Sequence, residues 1–229
     1  MSKTLRYIIL LSSFVGSISF QAFSQAGKTE TEEKIPLYQG VKAELDLASI
    51  VMSAISNGET YSVEANVQVN LREKYFPVLE MGFAGANKIS HNDYGFKTNG
   101  IFARIGIDYN LMKPNAPDAS IRKYFFLGGR YAFSPFSYDV TNVIVEDDYW
   151  GGEAVRDFLG MKTTKHWLEV VAGLKVEVFQ NIYMGWNVRI KILLGQEKLG
   201  EISPWYIPGV GIKSTGANWG FNYTIGYKF

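Results

Sequence analysis

The last eleven residues, 219–229, alternate between large apolar side chains at odd positions and small or polar side chains at even positions. Because successive side chains of a β-strand point to opposite faces, this segment has one aromatic-rich face and one polar face. An apolar face toward lipid and a polar face toward an interior are typical of a transmembrane β-barrel. We therefore expect 219–229 to be a membrane strand that closes such a barrel.

Seven further segments show strand patterns separated by turn signals. In the clearest, 61–71, apolar residues alternate with polar ones along the whole segment. Connections after the second, fourth and sixth segments are short, as in bacterial barrels whose termini both face the periplasm. The sequence thus predicts an all-β fold, an eight-stranded antiparallel up-and-down transmembrane β-barrel. The predicted strands are 38–52, 61–71, 76–86, 100–111, 123–145, 166–179, 182–194 and 219–229.

The N-terminus predicts a secretory signal peptide over residues 1–24. Two basic residues precede a short apolar run, and Ala22-Phe23-Ser24 forms a small-x-small cleavage signal. The apolar run is too short for a membrane-spanning helix, which needs about 20 apolar residues. A periplasmic N-terminal extension over 25–36 and a single barrel domain over 37–229 are then expected.

The composition favours a membrane barrel over other classes. The chain has 14 Tyr, 15 Phe and 5 Trp, as expected of barrels with aromatic girdles. With no cysteine, neither a disulfide framework nor a lipid-modified cysteine is available, so hydrogen bonding and packing must hold the fold. A net charge of +1 argues against a nucleic-acid partner.

The charges on the faces predicted to point inward are balanced, with seven cations and seven anions. The interior of an eight-stranded barrel is only wide enough for its own side chains, which argues against a general porin. Buried charges must be paired, since removing one partner costs roughly 3–5 kcal/mol. We predict a lumen closed by an ion-pair network of Lys42, Glu44, Asp46, Glu64, Glu80, Arg104, Asp108, Arg130, Glu169, Lys175, Glu177, Arg189, Lys191 and Lys228.

The sequence offers little catalytic chemistry. Its two histidines are His91 and His166. The run His166-Trp167-Leu168 lacks the His-x-Ser pattern of lipid A deacylases, so no serine on the same face can act as the nucleophile. His91 has Asp93 nearby but no further ligand in register, which is a weak metal signal. We predict a non-enzymatic protein with no catalytic residue, cofactor or metal site.

The outer connection 146–160 is the best candidate for partner recognition, because functional contacts concentrate in loops. It is acidic and aromatic, and we expect residues 153–159 to be partly helical. Its acidic residues could also bind divalent cations that bridge lipopolysaccharide, or the loop could fold back on the barrel rim. A second exposed apolar patch is expected at 207–212. The candidate partner contacts are Tyr149, Trp150, Phe158 and Leu159.

Two features of the sequence resemble known outer-membrane proteins. Tyr227 and Phe229 resemble the C-terminal aromatic signal that the bacterial barrel-insertion machinery recognises. Segments 36–47, 76–83 and 104–111 resemble an uncharacterised family of small outer-membrane barrels from Bacteroidota. The resemblance covers most of the mature chain and implies the barrel and the bacterial outer membrane, and it transfers no catalytic residue.

These observations lead us to expect an accessory or structural subunit of a larger outer-membrane protein complex, such as the barrel-assembly machinery. The expected partners are outer-membrane lipid, lipopolysaccharide and other outer-membrane proteins. One alternative is a surface barrel that binds a ligand or a host surface through its outer loops. Another is a lipid A-modifying enzyme, which would require His166.

Overall fold

The structure is a computed structural model that describes residues 36–90, 93–112, 122–147, 152–195, 202–214 and 216–229. Its elements are β1 (Tyr38–Asp46), α1 (Leu47–Ile55), β2 (Thr60–Leu71), β3 (Tyr75–Ile89), β4 (Gly95–Asn110), β5 (Lys123–Asp147), β6 (Gly152–Phe179), β7 (Ile182–Leu194), β8 (Tyr206–Ile207), β9 (Gly211–Ile212) and β10 (Asn218–Lys228). Eight of the described strands close an antiparallel barrel in the order β1-β10-β7-β6-β5-β4-β3-β2. The predicted eight-stranded transmembrane barrel is confirmed. The predicted signal peptide, 1–24, lies outside the described residues, as does the extension except for its last residue.

Alternating side chains give the barrel wall an apolar outer face and a polar inner face. Along β2, Val63 and Val67 are 48% and 46% exposed, whereas Glu64, Asn66 and Gln68 are buried in the lumen. The other strands repeat this division, with Ile, Leu, Phe, Tyr and Trp outside and most of the buried charges inside. A face of this kind is stable against lipid, so the wall satisfies the physical requirement of a membrane barrel.

The first predicted strand, 38–52, is wrong in its second half. β1 ends at Asp46 and the chain continues as helix α1, Leu47–Ile55, whose first turn is capped by the Asp46 carboxylate at 3.1 Å. As a strand, this segment would turn Ile50 and Met52 toward the polar lumen, because they share the parity of inward-facing Asp46. The helix avoids that burial.

Among the described residues, no helix is both long enough and apolar enough to cross a bilayer.

β5 and β6 extend further than predicted. β6 begins at Gly152, so residues 153–159, which we expected to be partly helical, are strand. Within the described part of the chain, residues 152–165 pair with β5 alone, because β7 ends opposite His166. β-Branched residues on both strands favour the extended backbone. Residues 142–147 of β5 and 152–165 of β6 project beyond β7, and we call them the arm. At its tip, 142–147 and 152–156 form a two-stranded ribbon, whereas 158–165 pair with β5 residues that β4 flanks on the other side.

The described part of the last outer connection folds into the barrel, so the expected exposed patch at 207–212 is wrong for residues 207–210, whereas Ile212 is 53% exposed. β8 and β9 form a hairpin in the barrel mouth, where Ile207 and Val210 are 1% and 4% exposed. Gly209, with φ +83°, forms the bend in a conformation that suits glycine. The hairpin packs against buried aromatic residues of the wall. We call residues 205–213 the plug.

At the inner end of the barrel, where β1 begins and β10 ends, two of the three expected short turns are described, and the third, 113–121, lies outside the described residues. Gln180-Asn181 alone joins β6 to β7, and Asn181 adopts φ +63°. Asparagine tolerates the left-handed conformation that two-residue hairpins require. The β2–β3 turn, Arg72-Glu73-Lys74, likewise contains two residues with positive φ.

Candidate functional site

Glu80 on β3 lies at the centre of the lumen and binds three arginines. Its carboxylate lies 2.5 Å from Arg189, 3.1 Å from Arg130 and 3.2 Å from Arg104. Arg104 is its cross-strand neighbour on β4, whereas Arg189 reaches it from β7 on another part of the wall. All four side chains are buried. One carboxylate thus joins β3 to β4, β5 and β7 across the interior.

Two further glutamates share these arginines. Arg104 lies 2.7 Å from Glu64 and 2.8 Å from Glu169. Arg189 lies 3.2 Å from Glu169 and 3.4 Å from Glu64. The indole nitrogen of Trp167 donates to Glu169 at 2.6 Å. We call this cluster the ionic centre, made of Glu64, Glu80, Arg104, Asp108, Arg130, Glu169 and Arg189.

Closer to the inner end of the barrel than the three glutamates, Asp108 connects the ionic centre to a second ion pair. Arg130 lies 2.7 Å from Asp108, which also accepts a hydrogen bond from Gln68 at 2.9 Å. Lys175 donates to Glu44 at 2.6 Å and to Gln68 at 3.2 Å. The charges therefore form one continuous network rather than separate pairs.

Lys42 lies toward the inner end and contacts aromatic rings. Its ammonium lies 4.5 Å from the ring centroid of Tyr124, 4.8 Å from that of Tyr183 and 5.3 Å from that of Phe76. It also donates to the Tyr124 hydroxyl. Cation–π contacts of this kind stabilise a desolvated ammonium. Phe76 stacks on Tyr124, and with Phe126 and Val171 they form a buried layer at this end.

The plug is bound to the cations of the lumen through its backbone. The Gly209 carbonyl accepts hydrogen bonds from Arg104 at 2.9 Å and from Lys191 at 2.8 Å. Lys191 also donates to the Val210 carbonyl at 3.2 Å. Burial raises the pKa of Tyr206 on the plug to about 12. The lumen is thus layered, with aromatic packing at the inner end, charges in the middle and the apolar plug at the outer mouth.

In addition to Lys42 and Lys191, three residues that we assigned to the network lie outside both the ionic centre and the Glu44–Lys175 pair. Asp46 caps α1 and accepts a hydrogen bond from Asn222 at 2.6 Å. Glu177 is half-buried at the inner end, where it accepts from the backbone of Asn181 at 3.0 Å. Lys228 is half-buried opposite Lys42 on β1.

Sequence reasoning missed several neutral partners of the charges. Asn66, which donates to Glu44 at 3.2 Å, and Gln68 occupy inward positions of β2 that the alternation already identified. Trp167 also shares the inward parity of Glu169. The Gly209 carbonyl left no sequence signal, because a backbone acceptor is independent of residue type.

The arrangement is suited to holding strands together. Each charged side chain of the ionic centre contacts at least one opposite charge, and Arg104 also binds the plug. In the described ranges, no group of three or more His, Cys, Asp or Glu residues is placed to hold a metal ion. The charged side chains of the ionic centre pair with one another, and these contacts connect the strands of the barrel.

Of the two histidines, the structure describes His166, the residue weighed for catalysis. His166 lies on the outer face, where its Nδ1 lies 2.8 Å from the Tyr131 hydroxyl and its ring stacks near Phe133. His91 lies outside the described residues.

The predicted partner contacts fall on the arm where they are described. Leu159 is 67% exposed on β6 and Phe158 is half-buried opposite Val140. Tyr149 and Trp150 lie outside the described residues. At the end of the chain, Tyr227 and Phe229 are exposed and their rings meet edge to face at 5.0 Å.

Comparisons with known proteins identify a family and similar folds. A family model described as "Domain of unknown function (DUF6048)" matches residues 4–229. No curated protein matches the sequence.

Three solved structures of outer-membrane proteins resemble the chain. The N-terminal β-barrel domain of Pseudomonas aeruginosa OprF has 11% identity and a TM-score of 0.42, and the match covers 83% of this chain and 100% of that one. Neisserial surface protein A has 14% identity and a TM-score of 0.40, with 84% and 96% covered. Ail, the attachment invasion locus protein of Yersinia pestis, was solved in complex with the heparin analogue sucrose octasulfate. It has 6% identity and a TM-score of 0.39, with 84% and 97% covered.

Proposed function

The chain belongs to the DUF6048 family of unknown function, and we propose that it is a non-enzymatic accessory subunit of a larger outer-membrane protein complex, such as the barrel-assembly machinery. In this proposal residues 1–24 direct export and are removed, and Tyr227 and Phe229 guide insertion into the bacterial outer membrane. The barrel then serves as a rigid membrane anchor whose outer surfaces bind other proteins.

The observation that carries the proposal is the filled, charge-paired lumen. The Glu80 carboxylate contacts three buried arginines. Arg104 and Lys191 donate hydrogen bonds to the plug backbone in the barrel mouth. A barrel whose interior is occupied in this way is poorly suited to solute passage. The outer surface of the barrel is therefore the part of the protein that can bind partners.

The arm supports a role in protein contacts. Among the described residues its β6 strand has β5 as its one neighbour, and Ile144, Val155 and Leu159 are 47%, 66% and 67% exposed. A strand edge with unpaired backbone groups and exposed apolar side chains favours association with another polypeptide. An isolated two-stranded ribbon is marginally stable by itself, so a partner would also stabilise the arm.

Gentle detergent extraction and affinity purification of the tagged full chain test this proposal. We expect a defined set of outer-membrane proteins to co-purify in fixed ratio. A variant in which residues 143–156 are replaced by Asn-Gly should lose part of this set, because it shortens the arm between cross-strand partners Val143 and Arg156. Recovery of the unaltered chain as a lone monomer under these conditions would contradict the proposal.

A second candidate is surface binding of a ligand or host matrix through the outer segments, favoured by the exposed apolar residues of the arm. The same shortened variant separates the two functions. If the arm is an adhesive device, matrix binding should disappear while the co-purified set stays intact.

Lipid is the remaining proposed partner. The apolar outer wall would contact acyl chains, and a groove above it is lined by Pro135 and Phe136 together with the polar residues Asn99, Ser137, Lys162 and Thr164. Such residues are suited to lipopolysaccharide headgroups at the membrane surface. Lipopolysaccharide retained on the purified protein should decrease in a Lys162→Ala variant and not in a Lys88→Ala variant.

A further inference from the structure

The barrel wall has a seam between β1 and its two neighbours in the outer half of the barrel. β1 pairs with β10 only from Lys42 to Asp46, and it pairs with β2 up to Leu45. Above that level, among the strands that the structure describes, residues 218–223 of β10 pair with β7 alone, and residues 60–64 of β2 pair with β3 alone. Two sheet edges therefore face each other across the place that a longer β1 would occupy.

The seam is one strand wide and is filled by α1. Two strand spacings separate β10 from β2 across β1, or about 10 Å, since neighbouring strands lie ~4.8 Å apart. A helix with its side chains has a diameter of roughly 10–12 Å and so fits this gap. Accordingly α1 contacts both β2 and β10.

Side chains of α1 and of its two capping residues, Asp46 and Ser56, replace part of the missing strand ladder. Ser53 Oγ accepts a hydrogen bond from Ser62 N at 2.7 Å, and Ser56 Oγ donates to the Thr60 carbonyl at 2.5 Å. At the other edge, Asp46 accepts from Tyr223 N at 3.0 Å. These bonds satisfy individual edge groups, whereas a strand would pair with them along the whole seam.

The helix is otherwise loosely held. None of its residues is buried, and Val51, Met52 and Ile55 are 54%, 63% and 66% exposed. Behind it lies a cavity of about 130 Å³ whose lining includes Ser49, Ser62 and Asn222. Little apolar packing would therefore be lost if α1 moved out of the seam.

We propose that the seam is a docking site for one extended strand of another outer-membrane β-barrel polypeptide, which takes the place of α1 and pairs with β10. This inference rests on the proposed function and names its contact surface. The two edges offer backbone hydrogen bonds, which an extended segment satisfies and a helix does not.

The side chains that flank the seam specify the kind of strand. Trp219 and Phe221 of β10 face outward and are 70% and 59% exposed, while Gly220 and Asn222 face inward beside the cavity. Cross-strand neighbours on each face must match, so the incoming strand alternates large apolar residues outward with small or polar residues inward. That pattern is the one that membrane barrel strands carry.

The α1 segment is a poor occupant of the seam. As a continuation of β1 it would place Leu47 and Val51 toward lipid, but it would also turn Ile50 and Met52 inward and Ser49 and Ser53 toward lipid, against the required pattern. A strand without these mismatches suits the seam better.

A disulfide lock tests whether α1 must move. The chain has no cysteine, and Ser53 Oγ lies 2.7 Å from Ser62 N, so a Ser53→Cys, Ser62→Cys pair is within disulfide reach. The probe is a fluorescent peptide with the sequence of residues 219–229, and a peptide with the same composition but no alternation is the control. Binding to the purified full chain is measured in detergent micelles.

We expect the peptide to bind the unlocked protein and to bind the protein with the oxidised 53–62 disulfide at least tenfold more weakly. Reduction of this disulfide should restore binding. An oxidised Ala103→Cys, Phe133→Cys pair, which joins cross-strand partners on β4 and β5, should bind like the unaltered protein. A Ser53→Ala, Ser56→Ala variant, which loosens α1, should bind several-fold more tightly. Equal binding to locked, loosened and unaltered proteins, or equal binding of both peptides, would overturn the proposal.

Purification of the locked protein from cells separates this inference from the proposed function. If the co-purified set is the same with the seam locked and with the control pair, the seam proposal fails and the accessory role stands. If no form of the protein recovers partners, the accessory role fails, and the peptide measurement alone decides the seam.

Discussion

The ionic centre and the arm use their side chains in opposite ways. In the ionic centre, Glu80 and Arg104 are buried and each contacts several opposite charges. On the arm, Val155 and Leu159 project beyond the eight-stranded wall and are mostly exposed. The buried charges of the interior therefore stabilise the fold, whereas the exposed side chains beyond the wall remain available to partners. Substitutions in the two regions should therefore affect different properties.

The largest expected effect is that of Glu80→Ala. It leaves three buried guanidinium groups without their shared carboxylate, and breaking a buried ion pair costs about 3–5 kcal/mol. The free energy of unfolding, measured by denaturant titration of the protein in micelles, should fall by that amount.

The matched control is Glu59→Ala, which removes an exposed pair with Lys88 at 2.8 Å. Surface pairs contribute about 0–1 kcal/mol, so little change is expected. Equal destabilisation by the two substitutions would show that the ionic centre does not hold the barrel together.

A smaller effect is expected for Gly209→Ala at the tip of the plug. A Cβ there would lie 2.7 Å from Phe102 Cγ, and the residue has φ +83°. The left-handed conformation costs an L-residue roughly 1–2 kcal/mol. Hydrogen exchange of the plug amides should accelerate accordingly. Gly129→Ala, where a Cβ meets no atom within 4 Å, should leave exchange unchanged.

His166→Ala should have a still smaller effect. The substitution removes an exposed hydrogen bond to Tyr131, and one such bond contributes about 1 kcal/mol or less. Mass spectrometry should find the same lipid A species in cells that carry the variant or the unaltered protein. A lipid A species that changes with His166→Ala and not with Tyr131→Phe would instead support the enzymatic alternative.

The smallest effect on stability is expected for Leu159→Asp on the arm. Its side chain is 67% exposed, and exposed substitutions usually change stability by less than about 0.5 kcal/mol. The yield of co-purified outer-membrane proteins should nevertheless fall several-fold. Ile89→Asp, at a site that is 72% exposed outside the arm, is the control and should leave this yield unchanged.

Sequence alternation predicted the wall well, because period-two patterning reports directly which face of a strand meets lipid. It placed Glu64 and Gln68 of β2 inward, where the structure has them. It also placed Glu80, Arg104 and Arg189 on inward faces of three different strands. Their mutual distances depend on strand register and barrel closure, which no local pattern contains.

The errors share a physical cause. Residues 47–52 and 207–212 are apolar stretches whose environment is set by distant parts of the chain. The first becomes helical at a seam. Residues 207–210 of the second are buried, because they pack against aromatic residues of the wall and Arg104 and Lys191 bind the Gly209 carbonyl. The same holds for 153–159, whose strand form depends on pairing with β5. Local sequence could not reveal these tertiary contacts.

Single-channel recording in planar bilayers tests the central claim most directly, namely that side chains and plug fill the lumen. We expect no discrete conductance steps from the purified full chain over a broad voltage range. Stable openings that persist in the unaltered protein would contradict a closed lumen and the accessory role that we derive from it.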